Sequence, residues 1–146
     1  MDLAEVIQES KRFGAWAHMA TVSPSATPYV SPVHPCWDGE TLWTLVSVTS
    51  VKASNLAANP LATVHWQVSQ ETDLDSLIVW GRATVHSDLE AKRQLWEGVF
   101  DYDLNEFAPG GPEESPEAAF VGLEPTKAVL LRHFGMAGRD EWRAEQ

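Results

Sequence analysis

Apolar and polar positions alternate along most of the chain in short runs with period two, interrupted by a few stretches of helical period. Over residues 1–12, Leu3, Val6 and Ile7 fall on one face at helical spacing, which predicts a short amphipathic helix. Residues 15–22, 29–37 and 41–48 then read as strands, the last rich in β-branched residues around Trp43. The run Ser23-Pro24-Ser25-Ala26-Thr27-Pro28 predicts a turn between the first two. Asp38-Gly39 predicts a hairpin turn before the third, since both residues tolerate positive φ. Connections this short imply an antiparallel meander.

The period changes again at Thr49 or Ser50, either of which can cap a helix over residues 51–58 that Asn59-Pro60 ends. Residues 61–68 and 77–86 predict two more strands across the acidic loop 71–75. Ser87-Asp88-Leu89-Glu90 fits a capping box, with a helix running to about Trp96. Segment 100–116 has no clear period. It carries Asp101, Asp103, Glu106, Glu113 and Glu114 without one cation, and is expected to pack by Phe100, Tyr102 and Phe107 with its carboxylates in water. Residues 118–123 and 128–134 read as a last pair of strands around Glu124-Pro125-Thr126, followed by a charged, frayed tail over 136–146. The sum is a mainly β fold of about six to seven mostly antiparallel strands with short flanking helices. It forms a single domain over 1–146, closed or nearly closed into a small barrel.

Composition narrows the function. The 146 residues include 44% hydrophobic and 21% charged positions, enough for one ordinary core. Ten Lys and Arg stand against 21 Asp and Glu, for a net charge of −11, which argues against nucleic acid or an anionic membrane as partner. No apolar run approaches the roughly 20 residues of a membrane helix. The acidic opening MDLAEVIQESKRF also lacks a secretory core, so a cytoplasmic protein is expected. Cys36 is the single cysteine and has no adjacent cation, so it reads as a packed thiol. Gly-rich phosphate loops, His-Glu-x-x-His and Gly-x-Ser-x-Gly are all absent, so no catalytic acid or base is assigned. His18, His34, His65, His86 and His133 scatter over different predicted strands; converging strands would allow a metal site, but partly buried or rim histidines are the plainer reading and no metal ligands are assigned.

Charge placement supplies the first positive clue. Between Arg12 and Arg82 the only Lys or Arg is Lys52, where a strand ends and a helix begins. Helix starts present unpaired N–H groups to anions, and Ser47, Thr49 and Ser50 add hydroxyl donors. A capping serine followed by a solvated surface lysine is the plainer alternative. Seven tryptophans form the second clue, five of them (Trp16, Trp37, Trp43, Trp66, Trp80) in or beside predicted strands. They suit either core packing or the walls of a planar ligand.

The run from Ala20-Thr21-Val22 through Tyr29-Val30-Ser31-Pro32-Val33 and Trp37-Asp38-Gly39 to Leu42-Trp43 resembles the opening of the pyridoxamine 5'-phosphate oxidase-like family. Thr49-Ser50-Val51-Lys52-Ala53-Ser54-Asn55-Leu56-Ala57-Ala58-Asn59-Pro60 resembles its Ser-Arg-Lys…Leu…Asn-Pro segment, and Gly81-Arg82-Ala83 fits its next strand. Leu95-Trp96 with Phe107-Ala108-Pro109-Gly110-Gly111-Pro112 is similar to the general-stress-protein branch. The resemblance implies a split β-barrel homodimer that holds FMN, or in some branches a deazaflavin, at the subunit interface. It puts the ring against Pro32, Val33, His34, Leu45, Val46 and Ser47, and the phosphate at Ser50, Val51 and Lys52. The implied function is a flavin-dependent oxidoreductase acting on a small molecule. A deazaflavin-dependent reductase and a non-catalytic flavin or ligand carrier are the alternatives. Two cations of the family pattern are missing, since Val51 replaces one Arg and Val30 stands where the oxidase has another. The oxidase's pyridoxal-binding C-terminus has no counterpart in 135–146, so pyridoxamine phosphate oxidation is not expected.

Overall fold

The structure is a computed structural model that describes residues 1–145. Helix α1 (Leu3–Arg12) is capped by Asp2, whose carboxylate accepts from the Glu5 amide while Glu5 reaches back to the Asp2 amide. Strands β1 (Ala17–Val22), β2 (Pro28–Val33), β3 (Cys36–Asp38) and β4 (Thr41–Ser47) follow. Then come α2 (Val51–Ala58), β5 (Leu61–Trp66), β6 (Ser76–His86), α3 (Leu89–Trp96), β7 (Ala118–Leu131) and β8 (Arg139–Arg143). All strand pairs are antiparallel, in the order β2-β1-β5-β6-β7-β4-β3, with β8 also on β7.

The expected strand over 29–37 is two strands, broken at His34-Pro35, because Pro35 has no N–H for the ladder. The hairpin between β3 and β4 turns on Gly39-Glu40, with Asp38 already paired to Thr41 and Gly39 at φ 57°. Helix α3 is capped one residue later than expected: Asp88, not Ser87, accepts from the Ala91 amide.

A larger correction concerns the C-terminal third. The two strands expected around Glu124-Pro125-Thr126 are one continuous strand, β7. Its register against β6 slips between Trp80 and Gly81, which face Lys127 and Pro125, so Thr126 bulges out and the strand continues past the proline. The tail expected to fray instead forms β8 against Lys127–Leu131 of β7. Strand β6 therefore lines one edge of β7 from Phe120 to Leu131, while β4 and β8 divide the other edge between Ala118–Leu123 and Lys127–Leu131.

The main core gathers Val6, Met19, Leu42, Val64, Leu77, Val79, Val121 and Leu123, all essentially inaccessible. A second core packs Leu95, Trp96, Leu104, Ala108 and Phe120 beneath segment 100–117. That segment is pinned by Lys92, whose buried ammonium donates to the Ser115 carbonyl at 2.6 Å.

The acidic loop 71–75 has a structural role at Asp75, which is buried. Its carboxylate takes Arg12 Nη2 at 2.9 Å and the His133 amide at 2.8 Å, with Arg132 at 3.7 Å, so it joins α1 to the end of β7. Burial alone raises the carboxyl's pKa. The His133 amide and the two guanidinium groups outweigh it and hold Asp75 below its ordinary value of 3.8. The resulting stabilisation is complete above that value and is lost as pH falls through the lower folded value. Asp75→Asn should cost about 3 kcal/mol at neutral pH, as breaking a buried ion pair does. It should also flatten the acid limb of stability below pH 3.8, which urea denaturation across pH would measure.

Gly81 marks the bulge. A β-carbon there would overlap the Glu124 carbonyl and stand 2.9 Å from Leu123 Cδ1. Gly81→Ala should therefore cost about 1–3 kcal/mol through overpacking, visible as a lowered melting temperature. An unchanged melting temperature would mean the two strands separate freely at that point.

Candidate functional site

Strand β4 ends at Ser47, and four hydrogen bonds fold the chain into the next helix. Val48 N–H donates to the Glu117 carbonyl at 2.7 Å, and Ser50 N–H to the Ser47 carbonyl at 3.0 Å. Ser50 Oγ donates to that same carbonyl at 2.6 Å and accepts from the Ala53 amide at 3.3 Å, which makes Ser50 rather than Thr49 the cap of α2. Helix α2 is fixed from below by Leu56 in the core and by a buried bond from Asn55 Nδ2 to Thr21 Oγ1 at 3.1 Å. The amides of Val51 and Lys52, in its first turn, take no partner among the described residues. The Lys52 ammonium is half-buried and has no ion-pair partner within 4.0 Å among them, and burial pushes its pKa below the ordinary lysine value.

This helix start closes one end of a cavity of about 540 Å³. One wall is the end of β2 with Pro32, Val33 and His34, and the facing wall is Leu45, Val46 and Ser47 of β4. These strands are distant in sheet order, so curling of the sheet brings them together. Of the residues expected at the site, all but Val51 line the cavity; the Val51 side chain is 53% exposed. The sequence reading missed Ala108, Glu117 and Ala118 as cavity residues, and named Trp16, Tyr102 and Phe107 only as aromatic packing or wall residues without placing them at this site. Ala108, Glu117 and Ala118 lie in or at the end of the irregular segment before β7, which has no period to read.

His34 is held between rings, stacked on Tyr102 at 4.2 Å and edge-on to Trp16 at 5.0 Å. Asp101 Oδ1 lies 2.9 Å from His34 Nε2 but off the ring's N–H line, so this buried nitrogen has a charged neighbour and no aligned hydrogen bond. The same oxygen accepts from Cys36 Sγ at 3.5 Å. Burial, reinforced by the Asp101 charge, pushes the thiol up to about 11, which suits the packed, unreactive cysteine expected from the sequence. Burial likewise pushes the Tyr102 phenol up to about 12. Neither group changes protonation near neutral pH. Elsewhere, His18 and His65 face each other across β1 and β5, and burial together with His18 pushes His65 down.

The sequence profile of pyridoxamine 5'-phosphate oxidase matches residues 4–130, and the chain belongs to the pyridoxamine 5'-phosphate oxidase-like family. None of the curated protein sequences matches it. A protein from Clostridium acetobutylicum related to general stress protein 26 of B. subtilis superposes with a TM-score of 0.77 at 16% identity, over 98% of this chain and 96% of that one. A pyridoxamine 5'-phosphate oxidase-related, FMN binding protein from Nostoc punctiforme gives 0.69 at 19% identity, over 96% and 86%. An F420 reductase gives 0.58 at 24% identity, over 78% and 88%. The fold is the split β-barrel of these relatives.

Proposed function

We propose that the chain binds FMN in this cavity and serves as a flavin-dependent oxidoreductase for a small molecule. One observation carries the reading: a largely apolar cavity ends at a helix start whose amides and lysine have no partner among the described residues. The residues fit the group. Pro32, Val33, Leu45 and Val46 offer apolar surface to a ring system, and Trp16, Tyr102 and Phe107 add aromatic surface beside it. Ser47, Ser50, Lys52 and the first α2 amides offer hydroxyl, ammonium and N–H donors to a phosphate. Bound flavin supplies hydride chemistry, while this chain supplies binding, orientation and electrostatics.

No other Lys or Arg lines the cavity among the described residues, since Val51 points outward and Val30 is 65% exposed on β2. A second phosphate would find no cation there. With a net charge of −11 on the chain as well, the reading favours an uncharged or cationic substrate. Lys52→Ala should weaken FMN by about ten- to a hundredfold, the equivalent of roughly 1.5–3 kcal/mol for an ionic hydrogen bond. Riboflavin, with the same ring and no phosphate, should bind wild type and variant alike. Fluorescence titration of both ligands checks this, and equal losses for the two would mean a folding defect. A deazaflavin titrated alongside them separates the reading favoured by the F420 reductase likeness.

The same reading includes a homodimer. Trp16 is 71% exposed at the cavity wall, and Tyr29, Val30 and Val51 add apolar surface on β2 and α2. A second copy would cover them, burying more than about 2,000 Å² as obligate interfaces do. Light scattering at micromolar concentration should return twice the 16.1 kDa chain mass. A monomer would remove the interfacial part of the site.

A further inference from the structure

We propose that His34, Cys36 and Asp101 bind a zinc-type divalent cation in the partition beside the cavity. The three residues reach one point from separate places in the fold. His34 follows β2, Cys36 opens β3, and Asp101 belongs to the segment that leads to β7. His34 and Cys36 flank Pro35 in the two-residue break between β2 and β3, and Pro35 restricts the backbone between them. One donor atom from each residue lies within 4.8 Å of the other two.

The separations are those of a cation site. Around a tetrahedral zinc with bonds of about 2.0–2.3 Å, neighbouring donors stand about 3.3–3.5 Å apart. Cys36 Sγ and Asp101 Oδ1 are already 3.5 Å apart. His34 Nε2 and Asp101 Oδ1 are 2.9 Å apart and need to open by about 0.4 Å to reach that spacing, which the exposed Asp101 side chain permits. His34 Nε2 is buried without an aligned hydrogen bond, so a Lewis acid would satisfy it without displacing a partner. A thiolate, an imidazole and a carboxylate together select zinc over magnesium or calcium, which prefer oxygen alone. As the Zn–S bond forms, the Cys36 thiol releases its proton to solvent, with no change of oxidation state.

This site does not use the helix start at Lys52. Cys36 and Asp101 line a separate cavity of about 360 Å³, while His34 lines the larger one. The cation would therefore sit in the wall between them. Three protein donors leave a fourth tetrahedral position for water or a ligand atom.

The test is titration of the full chain with Co²⁺, followed by displacement with Zn²⁺. Wild type should develop a near-ultraviolet sulfur-to-cobalt charge-transfer band at one equivalent, and Zn²⁺ should abolish it. Cys36→Ser should remove the band. Asp101→Asn, at an exposed side chain that leaves the core intact, should weaken Zn²⁺ by about 100-fold, the upper end of what losing even an outer partner of a metal site costs. Absence of the band in wild type, or unchanged Zn²⁺ affinity in Asp101→Asn, would overturn the proposal. Since the Asp101 side chain is itself exposed, the result stands even where Cys36→Ser folds poorly.

Discussion

Strand β7 is the constraint on which the rest of the molecule depends. Its fourteen residues carry β6 along one edge, while β4 and β8 share the other. Because β4 pairs with Ala118–Leu123, β4 must end at Ser47 opposite Ala118. The Val48 amide then bonds to Glu117, the residue just before β7, and the chain turns into α2 at that point. The segment leading into β7 brings Tyr102 and Phe107 over the same place. One strand start thus fixes the floor, the helix-start end and the cover of a single cavity.

Electrostatics at that cavity run against the rest of the chain. The molecule carries −11 overall, and the cavity holds one cation, half-buried and unpaired among the described residues. Desolvation makes Lys52 a costlier ammonium than a surface lysine, and an anion seated on it offsets that cost. The partial positive charge of the α2 amides acts in the same direction. In the proposed reading the apolar walls supply affinity without direction, and the helix start would set which way round the ligand sits.

Much of this arrangement was legible in the sequence because its signals are local. The bounds of α2 follow from a capping serine and an Asn-Pro stop, and the meander follows from period-two runs joined by turn residues. The unbroken β7 was not legible, because Pro125 reads as a turn and only the bulge opposite Gly81 lets the strand pass it. Strand β8 was hidden by its charges. Arg139, Glu141 and Arg143 pair among themselves on an edge strand, where charge is tolerated and discourages pairing with other chains. Pro32, Val33, Leu45 and Val46 came from the family resemblance, and Lys52 from the scarcity of cations. The approach of Asp101 to Cys36 spans 65 residues and leaves no spacing to read.

The central claim is that Lys52 and the start of α2 hold a phosphate, and ³¹P NMR of FMN bound to the full chain tests it most directly. Donors and positive charge favour the dianion, so the second phosphate pKa, ordinarily about 6, should fall on binding. The resonance should also move from its free position. A bound flavin whose phosphate keeps the free shift and the free titration curve would contradict the account, as would a protein that binds no FMN.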